Sequence, residues 1–378
     1  MIEHPSLSIH YVERLLLIGP SDKTAFAFLW ALAQDKEHKE LCIDAYTNIA
    51  NETDSIEAKH KLTALTGVGN QSCKGDPMYA RVIYDDMAEK FETRLVSHLG
   101  YRGPWILFNM FRDFLDSTDE KMARDSWRIL DCGCGSGLVG RIFSEFVGRI
   151  PTAINPNDCE KVTTTTEGSA CFDESNTTLE SLKLAALKTG ALMAGVDISQ
   201  KMVNITASNG GYDVVICGDL QESLQVFSSF ERASGNELLL DLVIAADTFI
   251  YIGALGTIFE QSKRALKQGG FFAFSVEALE SSPMRIDSGS VPSPPNDIDV
   301  DTLDDKVSTI EIVNNEPVGA SLGWGIQLLT SARYAHSQIY IHILAHIHGF
   351  EIISKLSTVL RTETATPLEG MMYILRST

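Results

Sequence analysis

Asp131-Cys-Gly133-Cys-Gly135-Ser-Gly137 sets a carboxylate and three alternating glycines at the end of a short apolar run, Trp127 to Leu130. Glycine adopts backbone angles closed to other residues, so such a turn brings bare N–H groups close to a ligand. Directly after it, Leu138, Ile142 and Phe146 recur every fourth residue, as do Val139, Phe143 and Val147, which predicts an amphipathic helix. A strand, a glycine turn and a helix make a nucleotide site of the doubly wound kind.

The chemistry of the turn narrows the nucleotide. A dinucleotide site needs G-x-G-x-x-G and rests the pyrophosphate on the helix N-terminus. Counted from Gly133, the third glycine position is Leu138. Asp131 would repel a pyrophosphate and would accept hydrogen bonds from an ammonium. S-adenosylmethionine carries an ammonium and a sulfonium and no phosphate, so the turn favours a methyl donor. A nicotinamide cofactor stays as the rival.

Three further acids stand where strands are expected to end. They are Asp197 in Gly195-Val-Asp-Ile-Ser, Asp219 in Cys217-Gly-Asp-Leu, and Asp247 in Ala245-Ala-Asp-Thr-Phe-Ile-Tyr-Ile. A strand-end Asp is an ordinary cap when met singly. Four acids in order, at successive carboxyl ends, mark the ligand edge of an open α/β sheet.

The elements that must hold these residues follow from periodicity. Strands are expected at 128–131, 192–198, 213–217, 239–246, 271–276, 350–360 and 371–375. Helices are expected at 77–99, 105–115, 199–208, 255–267 and 337–348, with Gly269-Gly270 closing the fourth. This rhythm predicts an α/β fold: a doubly wound, Rossmann-like, mostly parallel seven-stranded sheet with helices on both faces. Residues 1–75 read as a small helical region, with helices at 24–33, 40–50 and 55–66, and 76–378 as the main domain. Residues 149–188, rich in Thr, Asn, Asp and Glu, and 281–320, which hold Pro283, Pro292, Pro294 and Pro295 and five aspartates between 297 and 305, read as solvated insertions.

Composition sets outer limits. The 378 residues carry 50 acids against 31 bases, a formal charge of −19. That balance argues against a nucleic-acid or anionic-membrane partner, since each needs a basic face. Seven scattered cysteines have no framework spacing and point to free thiols in a reducing, cytoplasmic setting. Cys132 and Cys134 lack the C-x-x-C spacing of a zinc site. His342 and His346 are i,i+4 neighbours without the intervening Glu of H-E-x-x-H, so no metal is expected.

Taken together, these residues resemble the class I S-adenosylmethionine-dependent methyltransferases. Within that class they are most similar to predicted methyltransferases with an N-terminal tetratricopeptide-like region. The likeness is carried by Tyr84-Asp-Asp-Met-Ala-Glu-Lys-Phe-Glu, His98-Leu-Gly-Tyr-Arg-Gly-Pro104, Leu266 to Glu277 and Ser331-Ala-Arg-Tyr-Ala-His-Ser337. It covers about 77–378 without the insertions and is weaker over 20–67. It implies an enzyme that moves a methyl group from S-adenosylmethionine to an acceptor, a small molecule in the first instance. The donor would be held by Asp131, Gly133, Gly135, Gly137, Asp197 with Ile198, Asp219 with Leu220, and Asp247, with Tyr84 on a lid helix. Arg333, Tyr334 and His336 precede the last helix and either line the acceptor pocket or cap that helix, and His336 and Tyr251 are the general-base candidates. The N-terminal helices offer a surface for protein contact. The acceptor itself is not fixed, and a binding protein that has lost catalysis is the reading from outside enzymes.

Overall fold

A computed structural model describes residues 4–67, 75–91, 99–118, 126–149, 178–229, 238–279, 310–320, 324–363 and 366–378. Five strands run parallel: β1 (Arg128–Cys132), β2 (Leu192–Asp197), β3 (Val214–Cys217), β4 (Leu240–Ala245) and β5 (Leu266–Ala278). Four short strands follow: β6 (Ile312–Val313), β7 (Glu316–Pro317), β8 (Ile326–Leu328) and β9 (Tyr334–His336). The chain closes on a hairpin, β10 (Phe350–Glu363) and β11 (Thr366–Ser377). The main sheet runs β10-β11-β5-β4-β1-β2-β3, with β9 beside the end of β5 and β8 beside β9. β11 is antiparallel to both neighbours. Among the described residues the sheet has nine strands where seven are expected.

Consecutive strand residues go to two different cores, which is the period-two signature of a sheet buried on both faces. Ile129, Leu242, Ile244, Phe271 and Ala273 join one core. Leu130, Val243, Ala245, Phe272 and Phe274 join the other.

The helices are α1 (Pro5–Ile18), α2 (Lys23–Ala33), α3 (Lys39–Glu52), α4 (Ile56–Thr66), α5 (Pro77–Met87), α6 (Gly103–Ser117), α7 (Leu138–Ile142), α8 (Leu179–Ala186), α9 (Gln200–Asn209), α10 (Leu220–Ser228), α11 (Gly256–Ala265) and α12 (Gln338–Ile347). The first four share a core around Leu16, Phe26, Leu29, Tyr46 and Ile49. That bundle is tied to the rest by α4. The His60 ring stacks on Tyr79 with centroids 3.7 Å apart, and its Nε2 lies 3.0 Å from the Ala332 carbonyl.

Several expectations change. The helix after the glycine turn is only five residues long and tightens into a 3-10 turn over Ser144–Val147. There Phe143 and Phe146 pack with Phe108 and Trp127, and the Trp127 N–H bonds the Phe146 carbonyl. Gly269-Gly270 do not close α11. Leu266 is already extended, and Gly269, at φ +80°, lies where the β4–β5 register slips, so the glycines bend a strand.

The first insertion is shorter than expected. α8 lies inside 149–188, buries Leu182 and Ala186, and its Ala186 carbonyl accepts from buried Arg128. Residues 150–177 lie outside the described residues. The second insertion ends in a packed hairpin, β6–β7, while 280–309 lie outside the described residues. α10 is an element that the periodicity reading passed over. Asp219-Leu-Gln-Glu222 carried its start signal, an N-cap with an acid three residues on.

Candidate active site

The carboxyl ends of β1 to β4 open on one cleft, at the point where the strand order reverses, which is where open α/β sheets hold ligands. α5 and the start of α6 close its far side. It encloses about 1160 Å³, counting space open to solvent at its mouth.

The glycine turn is strapped in place from three sides. Gly133 N–H bonds the Val196 carbonyl at 2.8 Å, and Gly135 N–H bonds Asp197 Oδ2 at 2.9 Å. From α9, the Thr206 hydroxyl donates to the Gly135 carbonyl and Asn209 Nδ2 to that of Ser136. Thr248 Oγ1 donates to the Cys132 carbonyl at 2.7 Å. A Cβ on Gly133 would lie 2.4 Å from Thr248 Oγ1, and φ there is +77°, so only glycine fits.

Asp197 ends β2 and is 8% exposed. Its Oδ1 accepts from Ser199 N–H and its Oδ2 from Gly135 N–H, which leaves each oxygen a second acceptor direction. Burial pushes its carboxyl up to about 6, against the pull of those two bonds. Ile198 lines the cleft beside it. Asp219 caps α10 by accepting from Gln221 and Glu222 N–H through Oδ1, and lines the cleft with Leu220.

Asp247 follows β4 at φ +60°, an uncommon backbone state for a residue with a Cβ. Both its oxygens accept from Arg361 Nη1, at 2.8 and 2.7 Å. Arg361 is 2% exposed, and its Nη2 lies 3.6 Å from Glu277 Oε2. Arg361 was missed in the sequence because its partner lies 114 residues away. Nothing in Leu360-Arg-Thr marks it. Tyr84, Phe91, Tyr101 and Tyr251 supply the aromatic wall.

Gly133, Gly135, Asp197, Ile198, Asp219, Leu220, Asp247, Tyr84 and Tyr251 thus share one cleft. Three expected residues stand elsewhere. Asp131 is fully buried behind the turn and does not line the cleft. Its Oδ2 accepts from the Tyr212 hydroxyl at 2.6 Å, and burial raises its carboxyl to about 7. Gly137 stays behind the turn as the N-cap of α7, at φ +87°. His336 lies on β9, paired with Ala278, buried, with Nε2 donating to the Gly253 carbonyl at 2.8 Å. Burial holds it down at about 4. Its ring is thus buried outside the cleft lining, and that placement does not bring it to where a general base would meet an acceptor. Arg333 and Tyr334 are likewise absent from the lining.

A fourth glycine also changes meaning. Gly135-Ser-Gly137-Leu-Val-Gly140 satisfies the dinucleotide spacing that fails from Gly133. In the structure Gly140 serves Tyr212. A Cβ there would lie 2.3 Å from the Tyr212 ring, and its N–H donates to the Tyr212 oxygen at 2.9 Å. Its spacing therefore reflects packing behind the turn.

The lining has a distinct charge. Among the described residues it holds three acids, Asp197, Asp219 and Asp247, and no Lys, Arg or His. Such a wall suits hydroxyls, amino groups and positive charge, and it opposes a pyrophosphate.

No family model matches the chain, and no curated protein matches it. Solved structures resemble it weakly. Magnesium protoporphyrin IX methyltransferase from Synechocystis PCC 6803, with bound S-adenosylhomocysteine, is 12% identical at TM-score 0.37, covering 73% of this chain and 83% of that one. The N-methyltransferase NodS from Bradyrhizobium japonicum is 12% identical at 0.34, over 76% and 97%. The [4+2]-cyclase SpnF is 13% identical at 0.40, over 80% and 97%. Likenesses of this size carry no conclusion about function.

Proposed function

We propose that the chain is an S-adenosylmethionine-dependent methyltransferase acting on a small molecule. The observation that carries this reading is the charge of the cleft: acids at the carboxyl ends of the strands and no cation in the described lining. A donor with an ammonium, a sulfonium and two ribose hydroxyls meets that wall with complementary groups. A nicotinamide dinucleotide would bring a pyrophosphate with nothing to neutralise it, which disfavours the rival oxidoreductase.

In this reading Asp197 accepts from the ribose hydroxyls, Asp219 Oδ2 from the adenine amino group, and the methionine part lies against the Gly133–Gly135 turn, whose missing side chains allow a close approach. The bound donor supplies an electrophilic methyl group. The protein's part is to orient an acceptor against it and to exclude water, and such positioning is worth several kcal/mol of the barrier. Tyr251 lines the cleft and stays as a general-base candidate for a hydroxyl acceptor. Free Cys42, Cys132, Cys134 and Cys217 fit a cytoplasmic setting. No helix among the described residues is long and apolar enough to cross a membrane. We assign the four N-terminal helices a role in protein contact, as the tetratricopeptide-like reading has it. Their packing, α1 on α2 and on α3, α2 on α3 and α3 on α4, fits that reading.

Calorimetric titration tests the assignment. S-adenosylmethionine and S-adenosylhomocysteine are expected to bind and NADH is not. NADH binding tighter than S-adenosylhomocysteine would overturn it. Donor binding without turnover on any acceptor in a metabolite extract, followed with a labelled methyl group, would favour the non-catalytic reading.

A further inference from the structure

Resting on the donor reading, we infer that the methyl acceptor is a primary or secondary amine, received at the β4 end of the cleft between Tyr84, Tyr251 and Asp247. The aromatic wall there has a particular form. The Tyr84 ring meets Tyr251 at 5.4 Å and 81°, and Phe91 at 5.5 Å and 72°. An ammonium placed over the face of one of these rings is attracted by its electron-rich π-system.

The charges behind this wall are layered. Asp247 lines the cleft, whereas Arg361, which grips both its oxygens, does not. Glu277 stands on the other side of Arg361. Two carboxylates and one guanidinium sum to one negative charge, with a carboxylate foremost. Arg333, the other arginine close enough to act on Tyr84, is also outside the lining. A carboxylate or phosphate acceptor would be desolvated against Asp247, with Arg361 behind it already taken up and no cation in the described lining, which is costly. An ammonium gains both the rings and the carboxylate.

The step balances without a further reactant. The ammonium gives one proton to water and binds on as the amine. Its lone pair forms the N–C bond as the S–C bond breaks, and the breaking pair stays on sulfur as the thioether. The methylated ammonium then releases a proton to water.

The test uses the whole chain saturated with S-adenosylhomocysteine and three probes of one carbon frame at millimolar concentration: 2-phenylethylamine, 2-phenylethanol and phenylacetate. Ligand-observed NMR is expected to give the amine an affinity about tenfold above either other probe. In Asp247→Asn the amine should fall to the level of the alcohol. Asparagine tolerates a positive φ, so this variant removes the charge and keeps the backbone. Tyr84→Leu removes a ring and no charge, and should lower the amine-to-alcohol ratio as well. It decides alone if Asp247→Asn no longer melts cooperatively. Phenylacetate binding as well as the amine, no amine signal in the S-adenosylhomocysteine complex, or an unchanged ratio in the variants would overturn the inference. Failure of the native chain to bind S-adenosylhomocysteine would instead remove the donor reading beneath it.

Discussion

The Tyr212 hydroxyl donates to Asp131 Oδ2 at 2.6 Å while its oxygen accepts from Gly140 N–H at 2.9 Å. One phenol therefore connects the end of β1 to the start of α7, from behind the glycine turn. Burial raises both the Tyr212 hydroxyl and the Asp131 carboxyl above their usual values, so the proton between them stays on the phenol or the acid and the bond persists.

Tyr212→Phe keeps the ring and removes the bond. Asp131 Oδ1 already has no hydrogen-bond partner, so the variant leaves a buried acid unpartnered at both oxygens. A loss of about 1–3 kcal/mol in unfolding free energy is expected by urea titration. A loss within experimental scatter would mean that the bond adds nothing to stability.

Gly140→Ala places a methyl group 2.3 Å from the Tyr212 ring. Overpacking of this kind costs about 1–3 kcal/mol. Tyr212→Leu should cost stability alone, yet Gly140→Ala should cost less in the Tyr212→Leu background than in the native chain. A double-mutant cycle measures the coupling, and strict additivity of the two changes would contradict the clash.

Asp197→Ala is expected to weaken S-adenosylhomocysteine binding tenfold or more, since charge-assisted bonds contribute about 1.5–3 kcal/mol each. The pH dependence has two opposite signs. Asp197 rises from an ordinary 3.8 to about 6 in the folded chain. The group's contribution to stability is present below its unfolded value and is lost as pH rises through about 6, because the folded chain holds the proton longer. Ligand binding needs the carboxylate, so affinity should instead fall as pH drops through about 6. Titrations across that window check this, and Asp197→Asn should flatten the curve.

Glu316→Ala tests the end of the second insertion. Its two oxygens accept from Gly256 N–H at the start of α11 and from the Tyr340 hydroxyl on α12. Removing it leaves both donors without that acceptor, and about 1–3 kcal/mol of stability should go. Urea titration checks this, and an unchanged midpoint would mean that the two bonds add nothing to stability.

Much of this arrangement was legible in the chain. The apolar runs of β1, β2 and β4, the glycine turn and Asp197 announced themselves because their signals are local: period-two or continuous burial, backbone freedom, and an acid at a strand end. What escaped depends on distant partners. Arg361 reads as a stray cation until Asp247 is found beside it. Asp131 looks like a ligand group until Tyr212, 81 residues later, is seen to take it. His336 looks reactive by type alone, and only the pairing of β9 with β5 shows it buried. Glu316 sits in a polar, proline-rich stretch whose composition hides one packed turn.

The contact between His60 and the Ala332 carbonyl spans 272 positions and ends at a residue held at φ +63°. Its neighbour in the stack, Tyr79, lies on the helix that carries Tyr84 and rests 6.2 Å from Tyr251. The first four helices are therefore not an interchangeable module. A chimaera that kept the sheet and borrowed another protein's leading helices would lose the ring beneath Tyr79, and with it the support of a wall that the proposed acceptor touches. Recombination between relatives would be expected to inherit residue 60, residue 79 and the 332 turn as one set.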